Sequence, residues 1–450
     1  MSNVQLEYVI SAIGMAGPLN AHLLRSQYFK PDIVNKITSV VDTLKTSVKG
    51  SCENTDPTVA MLFNAYTEQR YTTHLDDYNR FHMDKIYADS GGLQMVTAGK
   101  AITEEIKDKI YDVQTYSDYA MCFDIIPLES VSLTRTRNER SNVGNKIFDQ
   151  SRHSESGRMT GINIKRQIEY FRSKDASTKV IIIVQGNTPD DMVEFYTQIQ
   201  NQLSEKDFEN VGGIAVADTC MGNKELETID MLIAARRIGQ FAHPNAVKQL
   251  HLLGVGSIPR MAPVLYLRKS GFLDAFEKIS YDSSSHTVCF NYGLMKLNGT
   301  CKPLGGFRNH KLEKHLHDIY TTFQSSFEDI GTFDWYMDEV FFAEDDSWVY
   351  SKTAERAGAS GDRNKILAAS LVNFTYSMYQ VKNFIGCLDR VAGGEFIGAR
   401  SDKNITAITM LQNVSDEYDM QSWLSVQKPY VSSARIARKE DSFGLEKFFG

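Results

Sequence analysis

No stretch of about 18 apolar residues occurs in this chain, so no membrane-spanning helix and no membrane partner is expected. The opening MSNVQLEYVISAIGMAGPLN lacks the basic start of a secretory leader, which predicts a cytoplasmic protein. Prolines number 10 in 450 residues against 42% hydrophobic residues, which excludes general disorder and leaves enough apolar surface for a large core. A basic excess is also missing. With 49 Lys and Arg against 56 Asp and Glu the net charge is −7, so a nucleic-acid partner would have to be held by a local patch. The six cysteines, Cys52, Cys122, Cys220, Cys289, Cys301 and Cys387, show no tight repeated spacing, which argues against a disulfide framework and for a reducing compartment. There is no internal repeat of fixed period and no low-complexity tract.

What is present is alternation. Short apolar runs ending in polar residues or glycine recur at KIYADSGG, YAMCFDII, KVIIIVQG, VGGIAVAD, LHLLGVGS and FEKISYDSSS, and each reads as a strand. Between them lie segments of helical spacing: Ile106, Ile110 and Val113; Met192, Phe195, Tyr196, Ile199 and Leu203; Leu226, Ile229 and Ile233. Thr188 followed by Pro189 marks a helix start. The run Ile181 to Val184 does not alternate, as expected of a strand covered on both faces, and βα repetition of this kind builds a parallel sheet. Six such units favour an α/β fold of the (β/α)8 TIM-barrel type, with a doubly wound open sheet as the alternative. Residues 1–80 form an N-terminal addition packed on or completing the barrel, with one amphipathic helix bearing Ile33, Ile37, Val41, Leu44 and Val48. Residues 81–300 form the barrel core, and 301–450 a mostly helical C-terminal region that partly completes it. AGASGDRNK from Ala357 is the candidate linker.

In a barrel the chemistry sits where strands end and loops begin, and Asp89, Asp124, Gln185, Gly212, Gly213, Gly254 and Asp282 all stand at such run ends. Each alone is also what a turn requires. Two carboxylates on one face, Asp89 and Asp282, suit displacement at an anomeric carbon, one attacking and the other managing protons. Asp124, behind the apolar YAMCF, needs a partner, and the N1–H and 2-amino group of guanine form a two-donor fork that fits a carboxylate. Gln185 and the backbone N–H groups near Gly213 would meet a carbonyl oxygen, the glycines letting a flat ring approach the backbone.

Six ordered segments then carry a resemblance: DSGGLQ at 89–94, FD at 123–124, VQG at 184–186, GGIAV at 212–216, LLGVG at 252–256 and YDSSSH at 281–286. Together they resemble the motifs of the tRNA-guanine transglycosylase superfamily, over roughly residues 85–290. The resemblance implies a pentosyltransferase that exchanges guanine in a polynucleotide for a 7-deazaguanine without cutting the chain. By motif position Asp282 would be the nucleophile on C1′ and Asp89 the acid/base. Ser90, Asp124, Gln185, Gly212 and Gly213 would bind the purine, clamped between Leu93 and Leu253 where bacterial tRNA enzymes have an aromatic and a Met.

Departures from the family pattern set the branch. After the nucleophile the bacterial tRNA enzymes carry an arginine-containing run that grips the anticodon loop; here SSSHTVCF follows. The segment resembles more the archaeal branch, with its Asp-Ser-Ala pattern, and the phage and bacterial relatives that place a preQ0-like base in DNA, a modification that protects from restriction; no C-terminal RNA-binding module of the archaeal kind is apparent. DNA is therefore the expected polymer and a free 7-deazaguanine the expected second substrate, in host cytoplasm if the chain is viral. A divergent tRNA-guanine transglycosylase, a catalytically silent nucleic-acid-binding paralogue and an unrelated glycosidase remain as alternatives; three tryptophans are few for the last. The family's Cys-x-Cys-x-x-Cys zinc run is missing. Cys289 and Cys301 with His310, His315 and His317 make only a weak substitute, so neither a metal nor another cofactor is expected. In RTRNERSNVGNK, residues Arg135, Arg137, Arg140 and Lys146 are candidates to neutralise phosphates, a solvated loop being the plain alternative. The oligomeric state is not readable.

Overall fold

Parallel pairing of eight strands, each to the next and the last to the first, closes a barrel in simple chain order. A computed structural model describes residues 4–11, 31–68, 82–92, 102–127, 149–217, 225–283, 294–297, 300–303, 378, 380–395 and 414–422. The strands are β1 (Val4–Ile10), β2 (Thr55–Asn64), β3 (Ile86–Asp89), β4 (Tyr119–Met121), β5 (Lys179–Val184), β6 (Val211–Ala217), β7 (Gln249–Leu253) and β8 (Lys278–Ser283). The connecting helices include α1 (Pro31–Ser51), α2 (Ala65–Glu68), α3 (Glu104–Gln114), α4 (His153–Ser173), α5 (Pro189–Gln200), α6 (Glu205–Phe208), α7 (Glu225–Gly239) and α8 (Ile258–Lys269). A hairpin of β9 (Leu294–Leu297) and β10 (Thr300–Pro303) follows. The open doubly wound alternative is thereby excluded.

The six apolar runs are β3 to β8, and their lack of strict alternation has the expected cause. Val180 to Val184 are all buried because helices cover one face of β5 and the barrel interior the other. At α5, Thr188 caps with its side chain accepting from Asp191 N–H, Asp191 answers the Thr188 N–H, and Pro189 occupies the first turn. Two strands come from the first 80 residues, one on each side of the α1 helix. Neither carries the signal of the other six: Glu7 interrupts β1, and Pro57, without an N–H, sits near the start of β2 opposite Leu6.

Where the eighth helix of the ring belongs, over the seam between β8 and β1, the helical segment 380–392 packs. Tyr8 and Tyr281 are register partners on that seam, and Phe384 lies against both at ring-centroid distances of 5.9 and 6.2 Å. Asp389 of the same helix accepts from the backbone N–H groups of Glu53, Asn54 and Thr55 at 3.1, 2.9 and 2.8 Å, anchoring the start of β2. Region 301–450 also contributes the end of β10, residues 378 and 393–395 and the short segment 414–422, and the AGASGDRNK stretch lies outside the described residues.

Register and pleat determine what fills the barrel. Glu7 pairs with Thr58 and Ser280, Tyr87 with Leu62 and Tyr119, and Gln249 with Lys278, so these rows face inward, as do Asp89 and Asp282 two residues further along their strands. Towards the strand starts the interior is polar. Glu7 bonds Lys278 Nζ at 2.7 Å, Thr58 Oγ1 at 3.2 Å and the Tyr87 hydroxyl, while Gln249 Nε2 reaches the Tyr87 and Ser280 hydroxyls at 2.6 Å each.

Candidate active site

At the other end of the same strands the carboxylates gather. Asp89 is the last residue of β3 and faces the mouth. The turn behind it is DSGG, in which Gly91 adopts φ +73°, open to glycine without strain. That turn aims the N–H groups of Gly91 and Ser90 back at the Asp89 carboxylate. Asn64, ending the neighbouring strand β2, donates from Nδ2 to Asp89 Oδ2 at 3.1 Å. Asp282 stands on β8 in the same relation to another left-handed glycine: Gly254, at φ +69°, donates its N–H to Asp282 Oδ1 at 2.7 Å. His251 Nε2 faces the same oxygen at 3.4 Å.

Asp124 follows β4 among the buried Cys122 and Phe123, and Gln185, just past the end of β5, donates from Nε2 to its Oδ2 at 2.7 Å. Ser90 is buried, and its Oγ accepts from Gly92 N–H at 3.3 Å. A Cβ built on Gly92 would lie 3.5 Å from Ser90 Oγ and 3.8 Å from Asp124 Oδ1, so Ser90, Gly92, Asp124 and Gln185 form one polar pocket wall.

Electrostatics bind the three acids into one site. Burial first, then the charges of Asp124 and Asp282, push Asp89 from 3.8 up to about 6 against the opposing Gly91 N–H. Asp124 is likewise raised to about 6 by burial, with the Gln185 hydrogen bond pulling the other way. Among the described residues none of the three is paired with a Lys or Arg. Burying carboxylates together without a cation costs stability, and such clusters concentrate at functional sites. Two acids raised to about 6 can exchange protons near neutral pH, and a third held by N–H donors can attack an electrophile.

Gly212 and Gly213 lie elsewhere. They stand at the beginning of β6, where the register slips by one residue between Val180/Val211 and Ile181/Gly213, a bulge that leaves Gly212 as the extra residue. A Cβ on Gly212 would meet Lys179 Cβ at 2.8 Å and the Tyr119 ring at 2.9 Å, and one on Gly213 the Gln249 carbonyl oxygen at 2.5 Å. Their missing side chains make room for Lys179, Tyr119 and Gln249, five and four residues short of the strand's end at Ala217, and not for a ring at the mouth. Leu253, the last residue of β7, is partly buried at the mouth. Leu93, Arg135, Arg137, Arg140 and Lys146 lie outside the described residues, as do Cys289, His310, His315 and His317. Among the described residues no group of three or more His, Cys, Asp or Glu is arranged to hold a metal ion, and none of their helices is long and apolar enough to cross a membrane.

Two residues that the motif pattern does not pick out complete the site: Asn64, which shares its position at a strand end with Asp89, and His251, one strand step from Leu253. No family model matches the chain, and neither does any curated protein sequence.

Proposed function

We propose that this protein is a base-exchange transglycosylase that replaces guanine in DNA with a 7-deazaguanine base of the preQ0 kind through a covalent Asp282 ester. One observation carries the reading: three carboxylates at the C-terminal mouth of a (β/α)8 barrel, Asp89 within reach of the charges of Asp124 and Asp282, differentiated by their partners. Asp282 is held on Oδ1 by the Gly254 N–H, so its other oxygen is available as nucleophile. That oxygen bonds to C1′ as the C1′–N9 bond breaks, and the electron pair leaves on the purine. Asp89, lifted to about 6, supplies the proton to the departing base. In the second half the carboxylate of Asp89 takes the N9 proton of the incoming base, N9 attacks C1′, and the ester oxygen returns to Asp282 as carboxylate. Charge and protons balance over the cycle, and no cofactor is required.

Asp124 supports recognition. Its carboxylate, fixed by Gln185 Nε2, presents acceptors to a two-donor fork such as N1–H and the 2-amino group of guanine. A base in a duplex cannot reach a barrel mouth, so DNA must be opened or the base flipped. The preference for DNA over tRNA rests on the neutral run Ser283, Ser284, Ser285 and His286 behind the nucleophile, which cannot make bidentate arginine contacts to bases. The test is incorporation of labelled guanine into DNA and tRNA offered side by side. Label in DNA is expected. Label in tRNA alone would shift the substrate to the divergent tRNA enzyme, and label in neither, with both polymers bound, would point to a silent binding subunit.

A further inference from the structure

A line of hydrogen bonds runs from the barrel floor to the His251 ring, whose Nε2, buried and without a hydrogen-bond partner, stands 3.4 Å from Asp282 Oδ1. We infer that His251 is the positioning residue of Asp282: locked as the Nε2–H tautomer by that line, it donates to Oδ1 and leaves Oδ2 free to attack. This rests on the reading of Asp282 as nucleophile.

The tautomer follows from counting protons. The Glu7 carboxylate, with Lys278 Nζ at 2.7 Å and Thr58 Oγ1 at 3.2 Å, only accepts. Tyr87 must therefore give Glu7 its single hydroxyl proton. Burial, chiefly, and the Glu7 charge push Tyr87 well above the usual phenol range, so it keeps that proton. Because the Tyr87 oxygen has only lone pairs left, the Gln249 atom 2.6 Å away must be the amide nitrogen, which settles the amide's orientation. The second amide hydrogen points at Ser280 Oγ, also 2.6 Å away. Ser280 still has its own hydrogen to give, and His251 Nδ1 at 2.8 Å is the partner among the described residues that can take it; a donating Nδ1–H would leave that buried hydroxyl hydrogen without an acceptor. Nδ1 then carries a lone pair, and the ring proton lies on Nε2, which faces Asp282 Oδ1 at 3.4 Å. The distance is long for a hydrogen bond, yet the opposite tautomer would set a lone pair against a carboxylate. Gly254 N–H holds the same oxygen at 2.7 Å, so among the described residues the one hydrogen bond to the carboxylate and the Nε2 edge both fall on Oδ1.

The tautomer is a property of the free protein and can be read without any substrate. Long-range 1H–15N correlation on the intact, histidine-labelled chain should show His251 with Nε2 protonated and Nδ1 bare, the signal being assigned by its loss in His251→Gln. Ser280→Ala should move that ring towards Nδ1–H. In the second arm, His251→Leu should slow formation of the covalent adduct about 10- to 100-fold, the usual cost of losing a group that orients a reacting one, with polymer affinity unchanged. His251→Gln, whose amide N–H can reach the same oxygen, should recover most of the rate. An Nδ1–H tautomer in the native protein overturns the inference, as does adduct formation at the native rate in His251→Leu. Should that variant fail to fold, the NMR result on the native chain and on Ser280→Ala decides. Full exchange in Asp282→Asn would instead overturn the nucleophile assignment, whichever tautomer is seen.

Discussion

At the floor of the barrel the Glu7 carboxylate is answered by a Lys, a Tyr and a Thr, whereas at the mouth Asp89, Asp124 and Asp282 face one another with amide and imidazole partners and, among the described residues, no Lys or Arg pair. Both regions are polar and enclosed, and on the strands they share, β2, β3, β7 and β8, their residues stand two to six positions apart. The floor is a hydrogen-bonded network around one ion pair, with Gln249 Oε1 as its buried unpaired atom; the mouth buries acids together, and burial lifts two of them to about 6, Asp89 with a further push from the charges of Asp124 and Asp282. Structural need explains the first arrangement and works against the second. Polarity by itself does not mark a site in this barrel; uncompensated charge does.

The largest effect should come from removing the proposed nucleophile. Asp282→Asn should lower exchange by at least about a thousandfold, roughly 4 kcal/mol of barrel-mouth chemistry, because an amide cannot form the glycosyl ester. The fold should survive, since Gly254 N–H can still donate to the amide oxygen. Covalent adduct surviving denaturant should be seen with the native protein and be lost in the variant; near-native turnover would remove Asp282 from this role. At the floor the expected damage is to stability. Glu7→Ala leaves the Lys278 ammonium without its carboxylate and Tyr87 without its acceptor, which should cost about 3–5 kcal/mol in urea unfolding. A loss under about 1 kcal/mol would show that the floor network is not what holds the interior together.

Much of this contrast was legible in the sequence at the mouth and almost none at the floor. Strands covered on both faces produce apolar runs, so β3 to β8 stand out, and the polar residue ending each run is delivered to the mouth by the βα repeat. That logic places Asp89, Asp124, Gln185 and Asp282 together. It fails for β1 and β2, where Glu7 and Pro57 break the run, because an inward-facing Glu is tolerated only when a Lys arrives 271 residues later in the chain. It misleads at Gly212 and Gly213, since a glycine that makes room for Tyr119 and Gln249 is indistinguishable in sequence from one that makes room for a ligand. His251 and Asn64 stay hidden for a related reason: their meaning depends on register partners in other strands.

A smaller effect, of opposite sign, should separate the two regions further. Asp89 and Asp124 bind a proton more tightly in the folded chain than in the unfolded one, from 3.8 raised to about 6 in each case. Their contribution to stability is therefore full below about pH 4 and is lost as pH rises through 6. Asn in place of either should stabilise the protein at pH 7 by about 1–3 kcal/mol, two pKa units being worth roughly that much, and the gain should vanish by pH 4. Asp124→Asn should also lower the apparent pKa of Asp89, whose titration feels its charge. Thermal unfolding across this range checks the point. A destabilised Asp124→Asn at neutral pH would mean that the mouth, like the floor, is built for stability.

The smallest expected effect lies outside the mouth and tests what its charge demands. A cluster of three acids repels phosphates, so a polynucleotide drawn to it must be held by cations set back from the reacting centre. RTRNERSNVGNK, in the connection between β4 and α4, is a chain segment rich in them. Replacing Arg135, Arg137 and Arg140 with Ala should weaken polymer binding and flatten its salt dependence, the slope falling by roughly 0.7–0.9 for each phosphate that is no longer neutralised. Affinity for the free base should not change, because base recognition is assigned to Asp124 and Gln185 inside the mouth. The two measurements together distinguish the roles: a changed slope with unchanged base affinity places polymer attraction in the loop, while an unchanged slope makes this loop a solvated surface and requires the phosphates to be met by other residues.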